Sequence, residues 1–522
     1  MSCLNLPAYC YDYIDKYERF EETNLPSKEA FYNRLKKVGI SDEDYAYVQE
    51  VWRRFDMKNV GDLHNHYVLT DVLFLADVFE RFRDMTLDYY KLDACHYFTS
   101  PGLAWDAALK MTGVSLDLIT DPLMYNFFEL GLRGGVSMIS KKFSAANQPD
   151  FENFDPSKPI KNLIYLDANN LYGGVMRFPL PVGFMRWLED EEIKNFDITK
   201  ISVEGQTGYS LEVDLEYPSK LHDSHNCYPL APEHKAVQDE DLSPYSQELW
   251  EELHATDGLN CKKRSKTSKL IPTLNDKQNY VLHYRNLQLY VSLGMKVTKV
   301  HRILEFKQEP WLRTYIDFNS DKRKHAKNDF EKDFFKLMNN AVFGKTMENL
   351  RNPVNINLVH TEKRLKKLCA KPSFDRFKIF NEDLVGVENK KVKPLLNKPV
   401  YIGQTILDLS KLVMYDFHYN FMKKLYKDSI KLLFTDTDSL MYEIETPNLN
   451  EDIAKYKNIS NYPIDHPLHD DANKKTVLKF NKRPMGHIAH LRNNSSGELK
   501  TRQQVFQYRN SWGCVQRCIP CS

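Results

Sequence analysis

Cysteine is scarce, nine residues in 522, and too scattered for a disulfide framework. No apolar run approaches the ~20 residues that a membrane span requires, and mean hydropathy is −0.55. The opening stretch Met1-Ser2-Cys3-Leu4-Asn5-Leu6-Pro7 lacks both a charged leader and an apolar core, so no signal peptide is expected. Internal repeats are missing. Net charge is nearly nil, with 72 basic against 71 acidic residues. These absences argue against a secreted disulfide scaffold, a membrane span and a solenoid. The expectation is a soluble, intracellular protein with no membrane partner.

Hydrophobic residues make up 42% and charged residues 27%, an ordinary globular usage that excludes collagen-like, disordered and coiled-coil chains. At ~150 residues per domain the length allows about three or four domains, or one multi-lobed enzyme. The charge is unevenly placed. Residues 1–150 hold 16 Lys and Arg against 23 Asp and Glu, and residues 361–400 hold 11 against 5. Lys262, Lys263, Arg264, Lys266 and Lys269 form a run without an acid. Separate basic patches on a neutral chain suit a binder of phosphate backbones, although any one patch alone reads as a solvated face. Cys514, Cys518 and Cys521 cluster near the end. A structural zinc takes four ligands, and no residue after Cys521 supplies the fourth, so a metal is not expected there. From Asn481 on, seven basic residues accompany one acid and apolar periodicity is lost, the texture of an atypical tail.

Helical spacing of Val68, Val72, Leu75, Val78, Phe79 and Phe82 predicts a helix over 67–82, and Ser41-Asp42-Glu43-Asp44 is a capping signal before another. Helices are also expected over 278–294, 321–348 and 402–427. Residues 162–167 read as a short buried strand, and 209–215 alternate as a strand with one buried face. Residues 147–160 read as a connector and 218–275 as loop-rich. Residues 431–445 read as two strands around an acidic turn.

That turn, Asp436-Thr437-Asp438-Ser439, carries the strongest chemical signal. In an extended strand the side-chain period is two, which predicts Asp436 and Asp438 on one side. Two carboxylates held together favour a hard cation between them, Mg²⁺ or Mn²⁺. A polar hairpin turn is the plain alternative, made less comfortable by the apolar strands on both sides. A second strand, Asn162-Leu-Ile-Tyr-Leu-Asp167, ends in a carboxylate, followed by Asn170 and Tyr172. Third, Lys336, Asn340, Phe343 and Gly344 share one face of a helix, with Lys332 one turn earlier. A cation, an amide, an aromatic ring and a glycine are poor core material. They suit a triphosphate with a base and sugar behind it; a mixed surface helix is the alternative.

Together these segments resemble the family B DNA polymerases, and more closely the protein-primed branch found in linear plasmids, some phages and viruses, and self-synthesising transposons. Asp167-x-x-Asn170-Leu171-Tyr172 resembles D-x-x-S-L-Y-P, Lys336-x3-Asn340-Ala341-x-Phe343-Gly344 resembles K-x3-N-S-x-Y-G, and Asp436-Thr437-Asp438-Ser439 matches D-T-D-S. Leu132-Arg133-Gly134-Gly135 resembles the Y-x-G-G segment between exonuclease and polymerase parts, and Tyr67-x3-Asp71 the third exonuclease motif. Asn170, Gly173, Ala341, Phe343 and Leu132 depart from the family's Ser, Pro, Ser, Tyr and Tyr. Their order and gaps extend the resemblance over roughly residues 1–480. A reverse transcriptase would be expected to show an aromatic-x-D-D turn instead.

The resemblance implies an α/β (α+β) fold. A polymerase palm with an antiparallel sheet, helical fingers and inserted subdomains would follow the C-terminal part of a ribonuclease H-like exonuclease domain. The implied boundaries are 1–130 for the exonuclease remnant and 131–480 for the polymerase. Within the latter, the palm is 131–217 and 401–480, an insertion is about 218–300, the fingers are about 301–350 and a second insertion is about 351–400. Residues 481–522 are the tail. The chain is expected to be truncated at both ends, lacking the first two exonuclease motifs, a K-x-Y segment and a thumb. The implied activity is DNA-directed DNA polymerisation with two Mg²⁺ or Mn²⁺ ions and dNTP substrates; the alternative is an inactive nucleic-acid-binding remnant. By the same resemblance Asp167 and Asp438 hold the metals, with Asp436 supporting them. Tyr172, Lys324, Lys332, Lys336, Asn340 and Phe343 contact the nucleotide. Arg133, Gly134, Gly135, Thr437 and Ser439 contact DNA, and Tyr67 and Asp71 are exonuclease residues. Template-primer DNA and a priming terminal protein are the implied partners, with the nucleus a compartment consistent with a transposon origin.

Overall fold

The computed structural model describes residues 9–151, 153–256, 267–350, 354–391, 395–454, 460–461, 480–483 and 488–490. The Cys514/Cys518/Cys521 cluster and the basic residues Lys262, Lys263, Arg264 and Lys266 lie outside them. Among the described residues no helix is long and apolar enough to cross a membrane. The chain forms two compact units, Met1–Thr99 and Ser100–Ser522.

The first unit is helical. Ser41 caps the helix Asp42–Arg54 by accepting the Asp44 N–H, as its sequence predicts. Val48 and Val51 from that helix meet Cys10, Phe31 and Leu63 in a small core. The expected 67–82 helix runs further, over Val60–Tyr90, with Asn59 as its cap. Its apolar periodicity does not bury a stripe there: Val72 is 58% and Leu75 69% exposed. No strand runs through the described residues of this unit, so they hold no sheet of the ribonuclease H kind.

The second unit holds three larger sheets. A six-stranded sheet runs in the order Ser137–Ile139, Ile430–Asp436, Ser439–Glu445, Lys161–Ala168, Phe480–Arg483, Ser460–Asn461. Its central strands Ile430–Asp436, Ser439–Glu445 and Lys161–Ala168 are largely apolar because both faces are covered; Leu440, Met441, Tyr442 and Ile444 are all buried. A four-stranded antiparallel sheet follows the order Leu180–Trp187, Lys296–Glu309, Thr207–Glu216, Lys277–His283. Two expectations change here. The strand Thr207–Glu216 is buried on both faces over much of its length, not one. The segment expected to be helical over 278–294 splits into the strand Lys277–His283 and the helix Tyr284–Ser292, and that strand ties 277–300 into the sheet rather than into a loop insertion. The stretch 218–275 also includes a helix, Pro244–Thr256.

The helix Val400–Asp416 is apolar nearly all round and buried along most of its length, the pattern of a helix inside a core. It packs against the helices Pro122–Leu130, Leu171–Val175, Tyr284–Ser292 and Asp329–Thr346. The helix Ser100–Thr112, expected in the exonuclease remnant, lies in the second unit because its buried Leu103, Ala104, Ala107 and Ala108 face Asp329–Thr346. The helical region expected over 321–348 is two helices, Arg313–Lys324 and Asp329–Thr346. Residues 354–390 form a separate three-stranded sheet with the helix Glu362–Cys369, built on Val359, Leu368 and Val387.

Candidate active site

Strand register brings the three acidic positions to one end of the six-stranded sheet. Ser439 pairs with Asp436 on one side and with Asp167 on the other. Directly paired residues share a face, so Asp436, Ser439 and Asp167 form one row across three strands, with Ser439 buried at its centre. Asp438 stands beside that row. Its carbonyl accepts the Ala168 N–H at 2.7 Å, which locks the turn to the end of the Asp167 strand. Asp167, at a strand end, and Asp438, in the adjoining turn, are 271 positions apart in the chain and are thus brought side by side.

The reason for the Asp436/Asp438 pairing differs from the sequence expectation. Asp436 ends one strand and Ser439 begins the next, so Asp438 lies in a two-residue turn and not in an extended strand. Thr437 has φ +55°, rare for a β-branched residue. The Asp438 N–H bonds back to the Asp436 carbonyl at 2.6 Å. Such local strain, about 1–3 kcal/mol, persists only where the surroundings fix it. Here the Thr437 N–H donates to the Val136 carbonyl at 2.9 Å, and the Thr437 side chain lies on Gly135, where an added Cβ would come 2.3 Å from its Oγ1. The Ser439 hydroxyl donates to the Asp436 carbonyl at 3.1 Å, and the Thr435 hydroxyl to the Ser439 carbonyl at 3.0 Å.

Tyr172 faces the acidic turn. Burial raises its hydroxyl, and the charges of Asp438 and Asp436 raise it further, to about 12. Its ring stacks on Phe343, centroids 4.5 Å apart and planes 12° from parallel. The stack joins the sheet end to the helix Asp329–Thr346. Asn170, at φ +50°, starts the short helix carrying Tyr172. Two departures from the family motif explain each other here: a Cβ at Gly173 would lie 2.1 Å from the Asn170 Nδ2. The larger Asn170 side chain fills space that a side chain at 173 would need.

The helix Asp329–Thr346 buries Phe334, Phe335, Met338, Ala341 and Val342, and the opposite face presents Lys336, Asn340 and Gly344 as exposed residues. A Cβ at Gly344 would meet nothing within 4 Å, so this glycine borders open space. Lys332 joins that side but pairs with Asp329 at 3.2 Å. Lys324 is exposed at the end of Arg313–Lys324.

Arg133 requires a correction. It is 8% exposed, donates to the Val281 carbonyl at 2.6 Å, and lies 3.8 Å over the Tyr280 ring. Its charge is turned inward and is not offered to DNA. Gly134 borders open space, whereas Gly135 is covered by Thr437. In the first unit Tyr67 stacks on Tyr9 at 4.4 Å and bonds through its hydroxyl to Tyr11. Burial, the Tyr11 bond and the Asp71 charge raise its pKa. Asp71 itself is exposed. Sequence reasoning missed Asp408 and Lys411, a buried pair in the apolar helix Val400–Asp416. The signal was available: an acid and a base three residues apart in the middle of a largely apolar helix.

The donor set fits a hard divalent cation. Mg²⁺ commonly takes one or two carboxylates and completes its shell with water and substrate phosphates, and Asp167 and Asp438 are the two carboxylates that would hold it. Among the described residues no group of three or more His, Cys, Asp or Glu is gathered to hold a metal.

The model of the family "DNA polymerase type B, organellar and viral" matches residues 23–424. That match stops before the Asp436–Ser439 turn, whose assignment rests on its own geometry and motif. No curated protein matches the chain. Among solved structures, phi29 DNA polymerase complexed with primer-template DNA and incoming nucleotide is 14% identical, with a TM-score of 0.44 over 92% of this chain and 63% of that one. An orthorhombic crystal form of phi29 DNA polymerase is 13% identical, TM-score 0.43, over 92% and 64%. The family B DNA polymerase of the archaeon Pyrobaculum calidifontis is 12% identical, TM-score 0.26, over 86% and 40%. The chain therefore spans less than two thirds of the length of these polymerases. With the family model covering most of it, the chain belongs to the type B DNA polymerases, organellar and viral.

Proposed function

We propose that this chain is a DNA-directed DNA polymerase that extends a primer along a DNA template by a two-metal reaction, with a terminal protein as the natural primer. The observation that carries the reading is the abutment of Asp167 and Asp438 beside the Tyr172–Phe343 stack. Carboxylates at the end of a packed sheet and an aromatic platform on a neighbouring helix are the two halves such a site needs.

Asp167 and Asp438 hold the divalent ions, and Asp436 sets the local charge from the same row. When bound, Mg²⁺ or Mn²⁺ lowers the pKa of the primer 3′-hydroxyl and neutralises charge on the leaving pyrophosphate. Lys336, with Lys332 and Lys324, attracts the triphosphate of the incoming dNTP. Asn340 and the open edge at Gly344 let that triphosphate approach the helix. Tyr172, held flat by Phe343, lies beneath the sugar and excludes a 2′-hydroxyl by volume. Its hydroxyl stays protonated and uncharged far above neutral pH, so it adds no anion to an already acidic site. Base pairing on the template supplies sequence; the protein contributes positioning and charge. Thr437 and Ser439 act within this turn, and their side chains make contacts inside the fold.

Primer extension with Mg²⁺ tests the reading. Extension by the purified chain that disappears in Asp438→Asn, with template-primer binding kept, is the expected result. Tight template-primer binding without extension, under conditions where a known polymerase works, would leave the inactive nucleic-acid-binding reading in its place.

A further inference from the structure

Residues 131–136 run from the helix Pro122–Leu130 to the strand Ser137–Ile139 and are fixed at successive points. A Cβ on Gly131 would lie 3.0 Å from Gln404 Cγ and 3.2 Å from Val281 Cγ1. The Arg133 guanidinium donates to the Val281 carbonyl, and the Arg133 carbonyl accepts from Lys411 Nζ. Gly135 lies under the Thr437 side chain, and the Val136 carbonyl holds the Thr437 N–H. One end of this segment is anchored in the core; the other touches the acidic turn.

The anchor is made of buried charged side chains. Lys411 is 5% and Asp408 4% exposed. The Lys411 ammonium donates to the Leu407 carbonyl of its own helix at 2.9 Å and to Arg133. Asp408 accepts the His283 N–H at 2.9 Å and the Gln404 amide at 2.5 Å. Burial presses the Lys411 pKa down, against the pull of Asp408, to about 8. Two buried charges are costly to keep, and apolar residues of similar volume often serve stability as well. Stability alone therefore gives a weak reason for a lysine here. The distinctive bond of this ammonium is to the backbone of a segment 278 residues away.

We propose that Lys411, charge-compensated by Asp408, is a positioning residue for nucleotidyl transfer. It holds residues 131–136 against Thr437, which keeps the strained turn in the one geometry that presents Asp436 and Asp438. The proposal rests on the polymerase reading of that turn. Its reach is geometric: a shift of about 1 Å in a reacting group lowers rates on the order of a hundredfold.

The test combines an activity-independent measurement with kinetics on the full chain. Hydrogen exchange of the Thr437 amide should quicken about tenfold or more in Lys411→Met, because its acceptor is released. Amides of the 354–390 sheet serve as an internal control and should not change. Gly135→Ala leaves every bond of the buried pair intact and drives a Cβ into Thr437. It should quicken the same amide and lower kcat for primer extension about a hundredfold, with little change in the KM for dNTP. Adding Thr437→Gly to Gly135→Ala removes the clashing atoms and suits φ +55°, so the double variant should recover the activity of Thr437→Gly alone. Should Lys411→Met disturb the control amides too, the Gly135/Thr437 cycle decides alone. Wild-type exchange at Thr437 in Lys411→Met, or additive losses in the double, would overturn the proposal. A wild-type chain that fails to extend primers defeats the polymerase reading, while the exchange measurement still decides whether Lys411 braces the turn.

Discussion

The two units carry acidic residues in opposite settings. Asp71 sits exposed on the helix Val60–Tyr90, in a unit whose described residues contribute no strand. Its nearest motif partner, Tyr67, is engaged with Tyr9 and Tyr11. Asp438 sits in a turn whose backbone is fixed by Val136 on one side and Ala168 on the other. Beside it, Asp167 and Asp436 flank Ser439 in a row set by strand pairing. Catalytic groups need positions locked by the packing and hydrogen bonds around them. The turn in the second unit is held by backbone bonds from two other segments, whereas Asp71 is an exposed side chain bonded to Tyr67 of its own helix.

Asp438→Asn gives the largest expected effect, a loss of primer extension of about a thousandfold or more, the scale of removing a main electrostatic group from a transition state. Single-turnover extension measures it. Retained activity would reduce the turn to a polar hairpin, equal in standing to Asp71. Tyr172→Ala is next. Removing the ring that Phe343 holds should reduce discrimination against ribonucleotides by about a hundredfold, since the exclusion acts by volume. Competing dNTP and rNTP incorporation reads it, and an unchanged preference would detach the stack from sugar selection. Lys336→Ala should raise the KM for dNTP about tenfold, the size of one charge-assisted contact, while the affinity for template-primer stays the same. Equal loss of both would place Lys336 on the DNA and not on the nucleotide. The smallest effect is expected at Asp71. Asp71→Ala should leave primer extension unchanged, and the parent chain with labelled single-stranded DNA and Mg²⁺ should show no digestion that this substitution removes. Robust 3′→5′ digestion lost in Asp71→Ala would erase the contrast between the units.

Much of the site was legible because short-range patterns carry it. Apolar strands around Asp436-Thr437-Asp438-Ser439 announce a hairpin, and a helical face of Lys336, Asn340, Phe343 and Gly344 follows from spacing alone. The geometry of the turn was not legible. Period-two reasoning placed Asp438 in a strand, whereas pairing of Asp436 with Ser439 leaves it in the turn. Pairing across long separations is invisible to local pattern, and it also converted the first half of 278–294 from expected helix to strand. Arg133 was misread for a related reason. The resemblance to the Y-x-G-G segment carried a DNA contact over to it, and only the tertiary fold supplies Tyr280 and the Val281 carbonyl. On the helix Val60–Tyr90 the spacing gave the helix, and its apolar face is exposed, because periodicity predicts such a face without saying what covers it.

The central claim is that Asp167 and Asp438 act as one unit. A double-variant cycle in single-turnover primer extension, with Asp167→Asn, Asp438→Asn and the two together, tests it most directly. Groups that serve one site are strongly non-additive, so the double variant should be no slower than either single by more than a few fold. Losses that multiply, with the double variant slower by the product of the singles, would show two independent residues and contradict the account.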